Sequence, residues 1–349
     1  MAATELRPAT LRAFWLIAGL SGVAVALIVG VMLGPVSLGP LAIVRELLDR
    51  LPLIEIASGL DEREAAILWE LRMPRVVLAG LVGAMLALSG AAYQGVFRNP
   101  LADPYLLGVA AGAGLGATIA IAYFPVASEW PVDPLPLAAF AGALVAVFAT
   151  YTLGRSGARS RTASTLILAG VAMASFLTAL QTYVQQRESD TLRQVFAWIL
   201  GQLTTASWSQ VTLVLPYLAV STIAILSHRR LLDVMAVGDE EADSLGVDTR
   251  RVRLLIVIAA SLGTAAAVSV SGLIAFVGII VPHTIRLLLG SSFRIVLPLS
   301  LMLGAAFLIL TDLTARTLIS PAELPIGVIT AVLGAPFFLI VLRRSRSIT

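Results

Sequence analysis

VVLAGLVGAMLALSGAAYQGV, residues 76–96, carries no charged side chain over the length an α-helix needs to cross a bilayer. At 1.5 Å per residue such a helix is about 30 Å long, which is the thickness of the hydrocarbon core. Its glycines, alanines and serine let helix backbones approach closely, which matters in lipid because burying apolar surface no longer drives helices together. Uncharged runs of the same kind fall near 14–34, 105–124, 135–154, 163–184, 211–227, 254–271, 273–290, 295–313 and 325–342. The pattern predicts an all-α polytopic membrane protein of about ten transmembrane helices, with residues 1–349 forming a single transmembrane domain.

Composition agrees. The chain is 58% hydrophobic and 13% charged, whereas soluble chains are about half apolar and about a quarter charged. Its 24 basic residues are all arginine, for there is no lysine. With the amino terminus inside, Arg45, Arg50, Arg63, Arg72, Arg75, Arg187, Arg193 and Arg316 fall on the outer side of the membrane and the larger share falls in the cytoplasm. That bias is the one cytoplasmic loops carry, so an even number of spans with both termini cytoplasmic is expected. The arginines sit in short loops rather than on one face, so they are no nucleic-acid footprint. The first apolar run follows Arg7 and Arg12, is too long for a signal-peptide core, and is read as a retained span.

Two loops are long enough to fold. The outer one, about 35–73, includes the amphipathic stretch PLAIVRELLDRL (40–51). The cytoplasmic one, about 228–253, contains LLDVMAVGDEEADSLGV (231–247), where an apolar stripe alternates with Asp239, Glu240, Glu241 and Asp243. A short interfacial helix that docks on another protein has this character, and so does a solvated loop. A weak internal echo links LSGAAYQGVFRNP (88–100) with VSGLIAFVGIIVPH (270–283), on spans that would run in opposite directions, as an inverted repeat requires.

Several chemistries are excluded. The phosphate-cradling P-loop needs the lysine of GxxxxGK[ST], so this chain is not its own conventional ATPase. Without cysteine it has no disulfide, thiolate metal site or thiol nucleophile. His228 and His283 lack HExxH spacing, so no metal site is expected, and His283 beside Pro282 reads as a residue that ties down a kink. A proton- or ion-coupled carrier would place carboxylates at mid-membrane. Here almost the only candidate is Asp312, near the outer end of a span, and it is followed four residues later by Arg316, a spacing that suits a neutral helix-face pair. An intramembrane enzyme would need a facing nucleophile and base that the sequence does not offer. A pore-forming body without its own energy source is left: a partner-driven permease, or a channel or secondary transporter of unusual polarity.

Four segments bear on that choice: ELRMPRVVLAGLVGAMLALSGAAYQGVFRNPLADPYLLGVAAGAGLGA (70–117), LLDVMAVGDEEADSLGV (231–247), SGLIAFVGIIVPHTIRLLLG (271–290) and TDLTARTLISPAELPIGVITAVLGAPFFL (311–339). In order and spacing they resemble the FecCD-type permeases, the membrane subunits of type II ABC importers for ferric siderophores, haem and cobalamin. The resemblance implies a multi-pass protein of the cytoplasmic (inner) membrane that moves a bulky iron chelate by alternating access, or haem or cobalamin in its place. It implies a second copy of the chain, two cytoplasmic ATPase subunits that hold ATP and magnesium, and an extracytoplasmic substrate-binding protein, with no cofactor and no catalysis in this chain.

By the same resemblance, Asp233, Gly238, Asp239, Glu240, Glu241, Ala242, Leu245 and Gly246 match the coupling helices that seat in the ATPase. Arg72, Arg75 and Arg316 match outward arginines that pair with glutamates on the binding protein. Rim arginines suit that task because bidentate guanidinium pairs set docking register and on-rate; interfacial snorkelling is the other reading of Arg72 and Arg75. The cytoplasmic gate falls on Asn99 and Leu101 of the RNPLA turn and on Thr162, Ala163 and Ser164, where Ala163 interrupts the adjacent hydroxyls of some relatives.

Overall fold

The run at 76–96 becomes α4 (Met73–Val96) in the computed structural model, which describes residues 11–36, 38–50, 59–124, 133–156 and 163–346. The helix starts well before the apolar run. Asp61 and Glu64 form a reciprocal capping box, Asp61 accepting from the Glu64 N–H at 2.7 Å and Glu64 from the Asp61 N–H at 3.1 Å. From there α3 (Glu62–Ala66) passes through a π-helical stretch at Ile67–Arg72 into α4, so one 35-residue helical segment replaces the end of the expected outer loop.

The other elements are α1 (Ala13–Met32), α2 (Pro40–Asp49), α5 (Val109–Tyr123), α6 (Pro134–Ser156), α7 (Ala163–Arg187), α8 (Leu192–Ile199), α9 (Trp208–Ser227), α10 (Arg229–Met235), α11 (Asp239–Ser244), α12 (Thr249–Ser271), α13 (Val277–Leu289), α14 (Phe293–Thr317) and α15 (Ile326–Arg346). Among the described residues there is no strand. Each expected apolar run falls on one of these helices. Seven are long and apolar enough to cross a membrane; Val109–Tyr123, Val277–Leu289 and Ile326–Val341 are shorter apolar segments. The run expected from 105 becomes helical only at Val109, because Tyr105 is held back: its hydroxyl donates to the Ile274 carbonyl at 3.0 Å and accepts from the Ile274 N–H at 3.1 Å.

Almost every side chain of α4 is buried, and α14, α12, α13 and α9 pack around it. Small residues make this possible. A Cβ added to Gly83 would fall on the Gly304 carbonyl, so α4 and α14 meet backbone to backbone, and Gly112 and Gly142 do the same for α5 and α6. At the periphery α1, α7 and α9 expose large apolar side chains such as Ile17, Leu168 and Ile223, which is stable only with lipid as solvent.

Non-helical backbone inside such a bundle must find partners or line a cavity. Three such stretches meet: the Gln202 N–H donates to the Ser271 carbonyl at 2.9 Å, Gly327 N–H to Leu200 at 3.0 Å and Ile326 N–H to Gly201 at 3.2 Å. The turn after α8, the break between α12 and α13, and the start of α15 therefore close on one another.

Candidate functional site

Charge gathers at the two ends of α4, which spans about 36 Å by its rise. At its start lie Arg72, Arg75 and, from α14, Asp312 and Arg316, with Glu323 just beyond. Arg75 grips Asp312 through Nε (3.0 and 3.2 Å) and Nη2 (2.9 Å) and reaches Glu323 with Nη1 at 3.0 Å. Arg316 Nε lies 3.5 Å from the other oxygen of Asp312, so the pair expected from the i, i+4 spacing is present, but Arg75 shares it. Arg316 also donates to the Gly30 carbonyl, and Arg72 donates to the Val31 carbonyl at 3.1 Å and to that of Val36. Two arginines thus satisfy the end of α1, where carbonyls lack intrahelical partners and the dipole is negative.

This corrects the exposed rim expected of the three arginines. Arg72 is 4% exposed, Arg316 2% and Asp312 1%; Arg75 keeps a small solvent-facing edge beside Glu323. The guanidiniums of Arg72 and Arg316 act here as interior ties to carbonyls and to a shared carboxylate, and only Arg75 reaches the surface.

At the other end of α4 the acidic loop folds as α10 and α11, and its acids divide into two sets. Asp233 accepts from the Phe293 N–H at 2.6 Å and from Ser292 Oγ at 2.9 Å, with Arg294 at 3.4 Å, so it caps α14 from a separate helix. Asp239 takes Arg253 Nη2 on both oxygens (2.9 and 2.8 Å) and Arg98 at 3.3 Å. Asp243 accepts from Thr249 Oγ1 at 2.8 Å. Glu240 and Glu241 face outward, as do Val237 and Leu245, each 71% exposed. Leu232, Met235 and Ala242 are buried beneath, Gly238 precedes α11, and Gly246 turns the chain with φ +82°. The expected apolar stripe therefore splits: Leu232 and Met235 seat the loop, Leu231, Val234 and Val247 are partly buried, and Val237 and Leu245 between them are left open.

Directly above sits the RNPLA turn. Asn99 Oδ1 accepts from the Leu101 N–H at 2.9 Å, its N–H donates to the Gln94 carbonyl at 3.1 Å, and its carbonyl accepts from Ala102 N–H at 3.0 Å. Gln94 moors the turn to α13, donating to the Gly278 carbonyl at 3.0 Å and accepting from Arg286. Thr162 lies outside the described residues. Ala163 and Ser164 open α7, their side chains outside the described set. His283 does not tie down its kink through Nδ1, which is buried without a partner; its ring packs edge-on against Phe337.

Two cavities flank the meeting point of the broken segments. One of about 210 Å³ is walled by Arg75, Asp312 and Glu323 opposite Gln202 and Thr204. The other, about 720 Å³, is an apolar groove lined by Leu200, Leu273, Val328, Ala331 and Ala335 among others. Among the described residues no cluster of His, Cys, Asp or Glu suits a metal ion. Sequence reading missed Arg98, Arg253, Glu323 and the Ser292–Phe293 cap site. A residual signal existed only for the last, since Ser292 follows Gly290 at the start of an apolar run.

A family model described as the FecCD transport family matches residues 22–344. An uncharacterized ABC transporter permease of Bacillus subtilis, YvrB, is 42% identical over 331 residues, covering 94% of this chain and 93% of the relative. A cobalamin import system permease, BtuC of Halobacterium salinarum, is 43% identical over 285 residues (82% and 75% covered). The hemin transport system permease HmuU of Yersinia pestis is 39% identical over 280 residues (79% and 83%). Among solved structures, a metal-chelate type ABC transporter in an inward-facing conformation superposes with a TM-score of 0.82 at 27% identity, covering 95% of this chain and all of the other.

Proposed function

The chain belongs to the FecCD transport family, and from that premise we propose that it is the permease subunit of an ATP-driven importer that carries a bulky metal chelate across the cytoplasmic (inner) membrane. The substrate class comprises ferric siderophores, the first expectation, together with haem and cobalamin; relatives named for Fe(3+)-citrate, hemin and cobalamin import support these alternatives equally. Two copies of the chain would flank the path, with both termini and the α10–α11 loop cytoplasmic. Two separate subunits would bind and hydrolyse ATP, and a binding protein would deliver substrate at the opposite face.

The observation that carries this reading is the division of the acids in the α10–α11 loop. Asp233, Asp239 and Asp243 are bonded to the ends of neighbouring helices, while Glu240, Glu241, Val237 and Leu245 lie exposed as an acidic and apolar surface. Two large apolar side chains left open beside two exposed acids suit a docking surface better than a solvated loop. The apolar groove, open along Leu200, Leu273 and Ala331, supports a translocation wall, because weak contacts release a large substrate readily. Asn99 and Leu101, with Thr162, Ala163 and Ser164, are proposed as the cytoplasmic gate. For the outer face, burial of Arg72 and Arg316 moves the proposed docking contact to the Arg75–Glu323 edge.

In the complete complex, reversing both Glu240 and Glu241 to Arg should abolish co-purification of the ATPase subunits and ATP-dependent uptake while leaving the permease folded. Uptake of ferric siderophore, haem and cobalamin, each offered with the cognate binding protein, identifies the cargo. Normal uptake by the reversed variant would refute the coupling role.

A further inference from the structure

The ion-pair bridge Arg98–Asp239–Arg253 joins the consecutive helices α11 and α12 to the turn after α4, which is far from them in sequence. Arg253 belongs to α12, Asp239 opens α11, and Arg98 stands between the end of α4 and the Asn99–Leu101 turn. We propose that this bridge transmits movement of the α10–α11 loop to the turn at Asn99–Leu101, which makes Arg98 a positioning residue for the cytoplasmic gate. The proposal rests on the permease reading above and adds the mechanical connection it lacks.

Two observations converge on Arg98. Its backbone has φ +48°, a left-handed conformation that side chains other than Gly, Asn and Asp rarely adopt. A glycine would take it without strain, so the residue is held there at a cost, and its guanidinium is what it offers in return. That guanidinium lies 3.3 Å from Asp239.

The turn that follows is a rigid handle. Asn99 closes it onto Leu101, Ala102 and Gln94, and Pro100 fixes the intervening backbone. A displacement applied at Arg98 therefore moves the turn as a unit. On the other side, Asp239 is held by both oxygens to Arg253, so α11 cannot shift without moving this carboxylate relative to α4.

The neighbouring contacts serve a different purpose. Asp233 fastens α10 to the start of α14 through Phe293 and Ser292, and Leu232 packs in the core near Gly95 and Phe293. These contacts are short and more shielded, Asp233 being 22% exposed, which suits permanent attachment. Arg98 and Asp239 are 41% and 37% exposed, and exposed ion pairs contribute little to stability. A contact of that kind can be remade between two arrangements without unfolding either one.

The chain has no cysteine, so Leu101→Cys provides a single thiol on the turn. In the complete complex with its ATPase subunits, labelling by a membrane-impermeant maleimide from the ATPase side is compared without nucleotide and after trapping with ATP and vanadate. The rate should differ by about fivefold or more between the two states. Adding Arg98→Gln should reduce that difference to less than about twofold while ATP hydrolysis continues, and Arg98→Lys should restore most of it. Asp239→Asn should reproduce the loss, and combining it with Arg98→Gln should add nothing, as expected for two ends of one link. An undiminished nucleotide response in Arg98→Gln overturns the bridge. No nucleotide response in Leu101→Cys alone, with Arg98 intact, overturns the permease reading instead.

Discussion

Replacing Asp312 with Ala removes the carboxylate that Arg75 and Arg316 share. In the intact chain one oxygen takes Arg75 Nη2 at 2.9 Å and Nε at 3.0 Å, and the other lies 3.5 Å from Arg316 Nε. After truncation Arg75 keeps Glu323 at 3.0 Å, whereas Arg316, 2% exposed, keeps only the Gly30 carbonyl. Removing one partner of a buried pair costs about 3–5 kcal/mol, because the remaining charge stays desolvated. With Glu323 still holding Arg75, the lower end, about 3 kcal/mol, is expected.

Ala92 is fully buried in α4, and Ala92→Cys gives the cysteine-free chain a thiol that reacts only when the bundle opens. A loss of about 3 kcal/mol raises the open fraction by more than about 100-fold, read as the labelling rate at fixed temperature. Glu323→Ala, at a 29% exposed side chain, should cost less than about 1 kcal/mol. Asp312→Leu combined with Arg316→Met removes both charges and should regain most of the stability. If Asp312→Ala labels at the parental rate, or if Glu323→Ala is the more damaging change, Asp312 is not what neutralises Arg316 and the cluster has been misread.

Two further outcomes use the same thiol reporter. Asp233→Ala removes the cap on α14 and should cost about 1–2 kcal/mol, with Asp233→Asn, which keeps an acceptor, losing less than half of that. Asp103, in the turn between α4 and α5, has its carboxyl pushed up to about 6 by burial, partly opposed by the hydrogen bond it accepts from the Tyr105 N–H at 2.8 Å. Because the folded state holds the proton more tightly than the unfolded one, the carboxylate's penalty is absent below pH 4, grows between pH 4 and 6, and is complete above that. Asp103→Asn, which keeps the acceptor for Tyr105, should therefore be more stable than the parent at pH 7.5 by an amount on the order of 2 kcal/mol and lose the advantage at pH 4.

The apolar helices were legible because the bilayer imposes a length and a ban on charge that a linear sequence displays directly. The turn at 97–108 was legible in part, since Asn99, Pro100 and Pro104 are turn residues whatever surrounds them; the late start of α5 was not, because it depends on Tyr105 reaching Ile274 across the bundle. The acidic character of 239–243 could be read from composition. Which acids face inward could not, for that is decided by Arg98, Arg253 and Ser292, none of which stands at helical spacing to its partner.

The arginines at the start of α4 make the same point about charge. A guanidinium near a membrane surface looks alike in sequence whether it awaits a partner protein or caps a helix, because both need an always-charged, five-donor group. The carbonyls that decide the matter at Arg72 and Arg316 are 41 and 286 residues away. Their absence of lysine-like flexibility is then part of the fold: a planar fork can serve several acceptors at once, as Arg75 does with Asp312 and Glu323, where an ammonium would hold them less directionally. It follows that a carboxylate arriving at this face, on the proposed reading from a binding protein, meets Arg75 already occupied. It can displace Glu323, which is partly solvated, far more readily than Asp312, which is sealed. Docking and the internal ion pair therefore compete for one guanidinium, and the weaker of its two bonds is the one facing out.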